Sequence, residues 1–170
     1  MTEQHSEHNN REKLWELIKD VRFTMISHQT DTQELHSQPM TMLNSEAMNE
    51  DQNLYFIMKD TNDIVQAVNA GRRHLGLSFS KPSDDIYVSI SAHGEISTDR
   101  MLIEKLWNPW AENWFQGKDD PSVRVLIAKA VSAEYWNVKD NKVTHLLKVL
   151  KGNVTGKPEE PDTEHEKVTL

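Results

Sequence analysis

Cysteine is absent from the 170 residues. Disulfides, thiolate metal sites and a cysteine nucleophile are therefore excluded, and a reducing compartment is the expected setting. Glycine is sparse, with six residues, and none of them builds a phosphate-cradling loop. No apolar run approaches the roughly 20 residues that span a bilayer, so no membrane partner is expected. The first residues, Met1-Thr2-Glu3-Gln4-His5, lack the basic and apolar regions of a signal peptide. Cytoplasm is the expected location. Positive charge is also short: 19 Lys and Arg against 27 Asp and Glu give a net charge of −8. Such a surface repels phosphate backbones, so no nucleic-acid partner is expected. Neither His-Glu-x-x-His nor Gly-x-Ser-x-Gly occurs. The eight histidines do not cluster in the sequence. His5 and His8 read as solvated, and His74, His93 and His145 as isolated surface or hydrogen-bonded groups, so no metal site is expected.

What is present is patterning. The polar average, a mean hydropathy of −0.70, is diluted by two polar ends, residues 1–10 and 156–170. Leu14, Leu17, Ile18 and Val21 form the stripe of an amphipathic helix beginning near Asn9 or Asn10. Arg22–Gln29 and Glu34–Leu43 read as a hairpin, with Phe23 and Met25 facing inward. Asn44–Gln52 reads as an exposed loop and Asn53–Met58 as a strand. A short helix capped at Asp60, Thr61 or Asn62 buries Ile64, Val65 and Val68, and Gly71 ends it in a left-handed conformation. Arg73–Phe79 and Ile86–Ser97 are strands, the second with the clearest alternation in the chain. Thr98 and Asp99 open a helix that Asn108-Pro109 breaks. Ser122–Trp136 is the last strand, and Val143, Leu146, Leu147 and Leu150 mark a final helix. Strands joined by short turns with inserted helices predict an antiparallel barrel of the α+β class. Phe56, Leu77, Val88, Ile90 and Ile127 are expected inside it. Residues 1–10 read as a flexible terminus, 11–155 as one domain, and 156–170 as an acidic arm.

Two features stand out against this background. Four of the five tryptophans, Trp107, Trp110, Trp114 and Trp136, fall close together. They fit either core packing or the wall of a planar-ligand pocket or interface. His36-Ser37-Gln38-Pro39-Met40 places a proline inside a strand, which marks an edge or bulge because proline cannot donate to the ladder.

In order along the chain, Leu35-His36-Ser37-Gln38-Pro39-Met40, Leu54-Tyr55-Phe56, Tyr87-Val88-Ser89-Ile90-Ser91, Asp99-Arg100, Leu106-Trp107-Asn108-Pro109, Trp114-Phe115-Gln116-Gly117-Lys118-Asp119-Asp120-Pro121, Ala133-Glu134-Tyr135-Trp136 and His165-Glu166-Lys167-Val168 form one set. The set resembles the general stress protein group of pyridoxamine 5'-phosphate oxidase-like, FMN-binding split barrels. The resemblance implies a six-stranded antiparallel split barrel of Greek-key type with flanking helices. It also implies a homodimer with FMN at the subunit interface. The residues it points to for cofactor binding are His36, Ser37, Gln38, Pro39, Met40, Ile57, Met58, Asn62 and Trp114. It names no catalytic residue.

The chain departs from that pattern at the cofactor phosphate. The family usually reads Leu-His-(Ser/Ala)-Arg-Pro-Met, and Gln38 stands in the place of the arginine. The basic residue of the following short helix is replaced within Asn62-Asp63-Ile64, where Ile64 stands for a lysine. Guanidinium and ammonium groups make the strongest phosphate contacts. Lys59, Arg72 and Arg73 lie near in sequence as substitutes. Two functions follow. One is a flavin-dependent oxidoreductase linked to stress, with pyridoxamine phosphate oxidation itself disfavoured. The other is a non-catalytic dimeric split-barrel protein with weakened or lost FMN binding.

Overall fold

In the computed structural model, the described residues are 12–43, 53–138 and 163–169. The first ten residues, the 44–52 loop and the helix expected around Val143–Leu150 lie outside them. Residues 12–18 form helix α1, whose Leu14, Trp15 and Ile18 are buried. Strands β1 (Phe23–Gln29) and β2 (Leu35–Thr41) form the expected hairpin, and β3 (Asn53–Lys59) follows. Helix α2 (Asp63–Asn69) leads to the hairpin of β4 (His74–Lys81) and β5 (Ile86–Ser97). Helices α3 (Arg100–Leu106) and α4 (Pro109–Glu112) precede the long β6 (Val123–Val138), and β7 (Thr163–Thr169) closes the described chain.

Local chemistry explains the element limits. Asn62 caps α2 by accepting from the Ile64 N–H at 2.9 Å, satisfying one of the helix's orphan donors. Gly71, at φ 87°, ends the segment as expected. Asp99 caps α3 through the Met101 N–H at 2.9 Å. Asn108-Pro109 does more than end α3. Asn108 accepts from the N–H groups of Trp110 and Ala111, and Pro109 starts α4, where its missing donor costs nothing.

All pairings are antiparallel, and the sheet runs β2-β1-β4-β5-β6-β3. The curled sheet nearly closes on itself: the Leu43 N–H, just past β2, donates to the Tyr55 carbonyl of β3 at 3.0 Å. This is the split barrel, a six-stranded half-barrel with flanking helices. Proline 39 sits on β2, an end strand of that path, as its missing donor requires. The strand β6 uses one edge for two partners, pairing β3 through Val123–Lys129 and β7 through Ser132–Val138. Its register with β5 shifts between Ser91 and Ala92, and a bulge there bends the strand between the two segments. Part of the C-terminal arm is thus a seventh strand.

The barrel core contains Ile26, Phe56, Leu77, Phe79, Val88, Ile90, Leu126 and Tyr135. Phe56, Leu77, Val88 and Ile90 lie where the alternation put them. Three inward assignments are corrected. Phe23 and Met25 face out, 56% and 40% exposed, while Thr24, Ile26 and His28 are buried. Both parities of β1 carry apolar side chains. Pairing with β4, which sets Thr24 beside Phe79 and Ile26 beside Leu77, decides the phase. The buried Thr24 hydroxyl is satisfied by donating to the Ser78 carbonyl at 2.9 Å. Ile127 is half-buried on the other face of β6, against a second cluster of Tyr55, Ile103, Val123 and Val125 under α3.

Candidate functional site

Where β2 and β3 fail to pair along their length, a cavity of about 590 Å³ opens, walled by the ends of both strands, the start of α2 and the Trp110–Phe115 segment. Proline 39 and Met40 come from β2, and Ile57 and Met58 from β3. Asn62 comes from the cap of α2, and Trp114 follows α4. These six of the nine expected cofactor residues converge here. The other three do not line the cavity. His36 lies with its Nδ1 4.0 Å from an Asp63 carboxylate oxygen. Ser37 turns to the outer face, its hydroxyl 2.6 Å from that of Ser27. Gln38 reaches the wall only through Asn62, in a reciprocal pair of amide hydrogen bonds at 3.4 and 3.2 Å.

The sequence reading names neither Phe23 nor Thr61 as a site residue, and offers Lys59 only as a substitute cation and Trp110 only within the tryptophan cluster; all four line the cavity. The alternation read over Arg22–Gln29 puts Phe23 in the core instead. Trp110 belonged to the tryptophan cluster, the one signal that could have found it. Trp110 and Trp114 are 49% and 69% exposed, so these two are wall rather than core. Trp107 instead packs with Phe115 at 6.0 Å between ring centres. The Arg22 guanidinium lies 3.7 Å from the Trp110 ring centre and 5.1 Å from that of Phe23, tying α4 to the outer face of β1. Behind the wall, Asp120 accepts from the Gln116 and Ser122 N–H groups and the Ser122 hydroxyl. Those bonds hold its carboxyl below the usual range. Arg100 donates to the carbonyls of Lys118 and Asp120, and Lys118 pairs with Glu104.

The electrostatics of the cavity are simple. Among the described residues, Lys59 is the one charged side chain lining it, and neighbouring Asp60 is engaged by Arg124 at 3.6 Å. Of the other two cations near in sequence, Arg72 donates to the Gln29 carbonyl at 3.0 Å, and Arg73 borders a different concavity. Ile64, standing where the family pattern has lysine, is fully buried in the barrel core. A charge there would face apolar side chains rather than a phosphate. Beside His36, His28 is buried with its Nδ1 unpartnered among protein groups. Burial, and then the nearby His36, push its pKa down, with Asp63 opposing. Among the described residues, no group of three or more His, Asp or Glu is placed to hold a metal.

The model of the family described as pyridoxamine 5'-phosphate oxidase like matches residues 9–161. The chain belongs to that family. Within the pyridoxamine 5'-phosphate oxidase-like family, two curated relatives show the kinship. Protein bli-3 of Neurospora crassa is 34% identical over 94 residues, 50% of this chain and 45% of that protein. General stress protein 26 of Bacillus subtilis is 30% identical over 69 residues, 40% of this chain and 49% of that protein. The match thus spans just under half of each relative. Two solved structures share the fold. A general stress protein 26 structure from Jannaschia sp. CCS1 superposes with a TM-score of 0.72 at 24% identity, covering 95% of this chain and 99% of that one. The general stress FMN/FAD binding protein of Xanthomonas citri gives 0.64 at 26% identity, covering 77% and 90%. No helix among the described residues is long and apolar enough to cross a membrane.

Proposed function

We propose that this family member binds FMN in the β2–β3 cavity and acts as a flavin-dependent redox protein. The observation that carries the reading is the cavity itself. It is apolar, edged by two exposed tryptophans, and among the described residues its lining cation is Lys59. Its walls suit a planar ring system, since Trp110, Trp114, Met40 and Ile57 offer flat or adaptable apolar surface. Among the described strands, β2 pairs only with β1, so its other edge can hydrogen-bond polar ring atoms. Lys59 and the hydroxyl of Thr61 would hold the phosphate. A bound flavin supplies hydride or single-electron transfer; the protein supplies orientation and exclusion of water. The Xanthomonas citri relative, described as FMN/FAD binding, supports the same assignment.

We also infer that a second copy of the chain covers the outward face of β1 and β2. Phe23, Met25 and Leu35 are exposed on that face, Phe23 also lining the cavity, and two-fold pairing is the commonest way to bury such apolar side chains.

A second reading is favoured by the Gln38–Asn62 pair, in which a neutral amide, Gln38, stands where the family pattern has an arginine. On that reading the protein is a non-catalytic dimer with weak or no FMN binding. Visible absorption of freshly purified protein, then titration with FMN and riboflavin, separates the two. The expected result is a flavin spectrum and tighter binding of FMN than of riboflavin. Lys59→Gln should weaken FMN about tenfold or more, because a charge-assisted contact is worth roughly 1.5–3 kcal/mol. Riboflavin affinity should hardly change. If neither flavin binds, the non-catalytic reading takes its place.

A further inference from the structure

The outer face of the β4–β5 hairpin carries a juxtaposition that shares no residue with the flavin cavity. His74 and His93, far apart in sequence, are directly opposite in the register. The Gly94 N–H donates to the Arg73 carbonyl at 2.8 Å, which makes Arg73–Gly94 a hydrogen-bonded pair. Antiparallel pairs alternate, so His74–His93 is the non-hydrogen-bonded kind, in which side chains stand closer. Both imidazoles are exposed, with ring centres 4.7 Å apart and planes 70° to one another.

That separation has a chemical meaning. An imidazole nitrogen about 2.0–2.1 Å from a metal sets the ring centre roughly 3.2 Å from it. Two imidazoles on one ion at about 90–110° then have ring centres roughly 4.5–5.2 Å apart. The observed 4.7 Å falls inside this range. The next rung on the same face is Gly76 opposite Ser91, two small residues that leave the approach open. A concavity of about 410 Å³ lies over the pair and has room for further ligands of an ion.

We propose that His74 and His93 form a two-imidazole chelate for a divalent transition-metal ion. Imidazole suits copper, zinc and nickel, and Cu²⁺ binds most tightly at such sites. The charges bordering the concavity are Arg73, Glu95 and Lys129. Glu95 neutralises Lys129 through an ion pair at 2.5 Å, leaving Arg73 as the cation that opposes a bound dication. With two protein ligands, the ion keeps exchangeable positions for water or a small anion.

The test uses the full, untagged chain titrated calorimetrically with Zn²⁺ and with Cu²⁺. His74→Ala and His93→Ala should each lower the affinity of one Zn²⁺ equivalent at least tenfold, because losing either ligand breaks the chelate. Arg73→Gln should tighten binding severalfold, and Cu²⁺ should bind more tightly than Zn²⁺. Paramagnetic resonance of the Cu²⁺ form should show nitrogen ligands whose signal changes in either histidine variant. His74→Gln and His93→Gln, which keep most of the side-chain bulk, repeat the comparison if an alanine variant melts early. Equal binding by wild type and both histidine variants would overturn the proposal, placing any bound metal on other histidines. Weaker Zn²⁺ binding by Arg73→Gln would also overturn it, and would point to an anion at this concavity instead.

Discussion

His28 shows how one residue can couple the fold to pH. The residue is 2% exposed, and its Nδ1 has no hydrogen-bond partner among the described residues. Burial is the first cause of its lowered pKa, assisted by His36 and Arg72 and opposed by Asp63. In the unfolded chain the same histidine takes up a proton near its ordinary value of 6.5, while in the fold it stays neutral to lower pH. Its contribution to stability is therefore complete above about pH 6.5 and declines as pH falls below that value. The urea midpoint of the wild type should drop between pH 7.5 and pH 5.5. The drop should be shallower in His28→Gln, whatever that variant's stability at pH 7.5. Equal slopes would assign the pH dependence to other groups.

At the scale of elements, the shortest α-helix among the described residues has the clearest functional role. Helix α4 is a single turn held by the Asn108 side chain and by Pro109, yet it presents Trp110 and positions Trp114 on the cavity. A helix this short has little stability of its own, so its cap matters more than usual. Asn108→Ala should cost about 1 kcal/mol of global stability. It should also lower flavin affinity by loosening the tryptophan wall. Thermal melting and FMN titration of the same variant check both. A loss of stability with unchanged affinity would mean that Arg22, stacked on Trp110, holds the wall in place without the cap. The long β6 makes a related point. Its bulge opposite β5 lets one strand serve two neighbours on its other edge, and so brings β3, one wall of the cavity, into the barrel.

Taken as a whole molecule, the chain combines a net charge of −8 with an apolar outward patch on β1 and β2. A net negative charge sets copies of the chain to repel one another, and on the proposed dimer the apolar patch is where they would meet. Sedimentation should therefore report about twice the chain mass of 19.7 kDa at micromolar concentration. Phe23→Glu with Met25→Glu should shift the protein to the monomer without unfolding it, since both side chains already face out. Sedimentation of the wild type as a monomer would remove the dimer and any site completed by a partner.

Much of this architecture was legible in the sequence because it is set by local chemistry. A cap at Asp60, Thr61 or Asn62, an end at Gly71, an edge or bulge at Pro39 and an inward face from the strict alternation of Ile86–Ser97 can all be read from the letters. These depend on neighbours a few residues away. The face of β1 was not legible. Phe23 and Met25 compete with Thr24 and Ile26 on the opposite parity, and only the partners supplied by β4 settle which pair is buried. Gln38 and Ile64 show the same limit. As letters they are two missing charges, whereas in the fold one is locked to Asn62 and the other belongs to the core. Lys59 and Trp110 reach the cavity, and His74 meets His93, through strand register and helix placement. Such contacts join residues distant in sequence, and only tertiary packing brings them within reach.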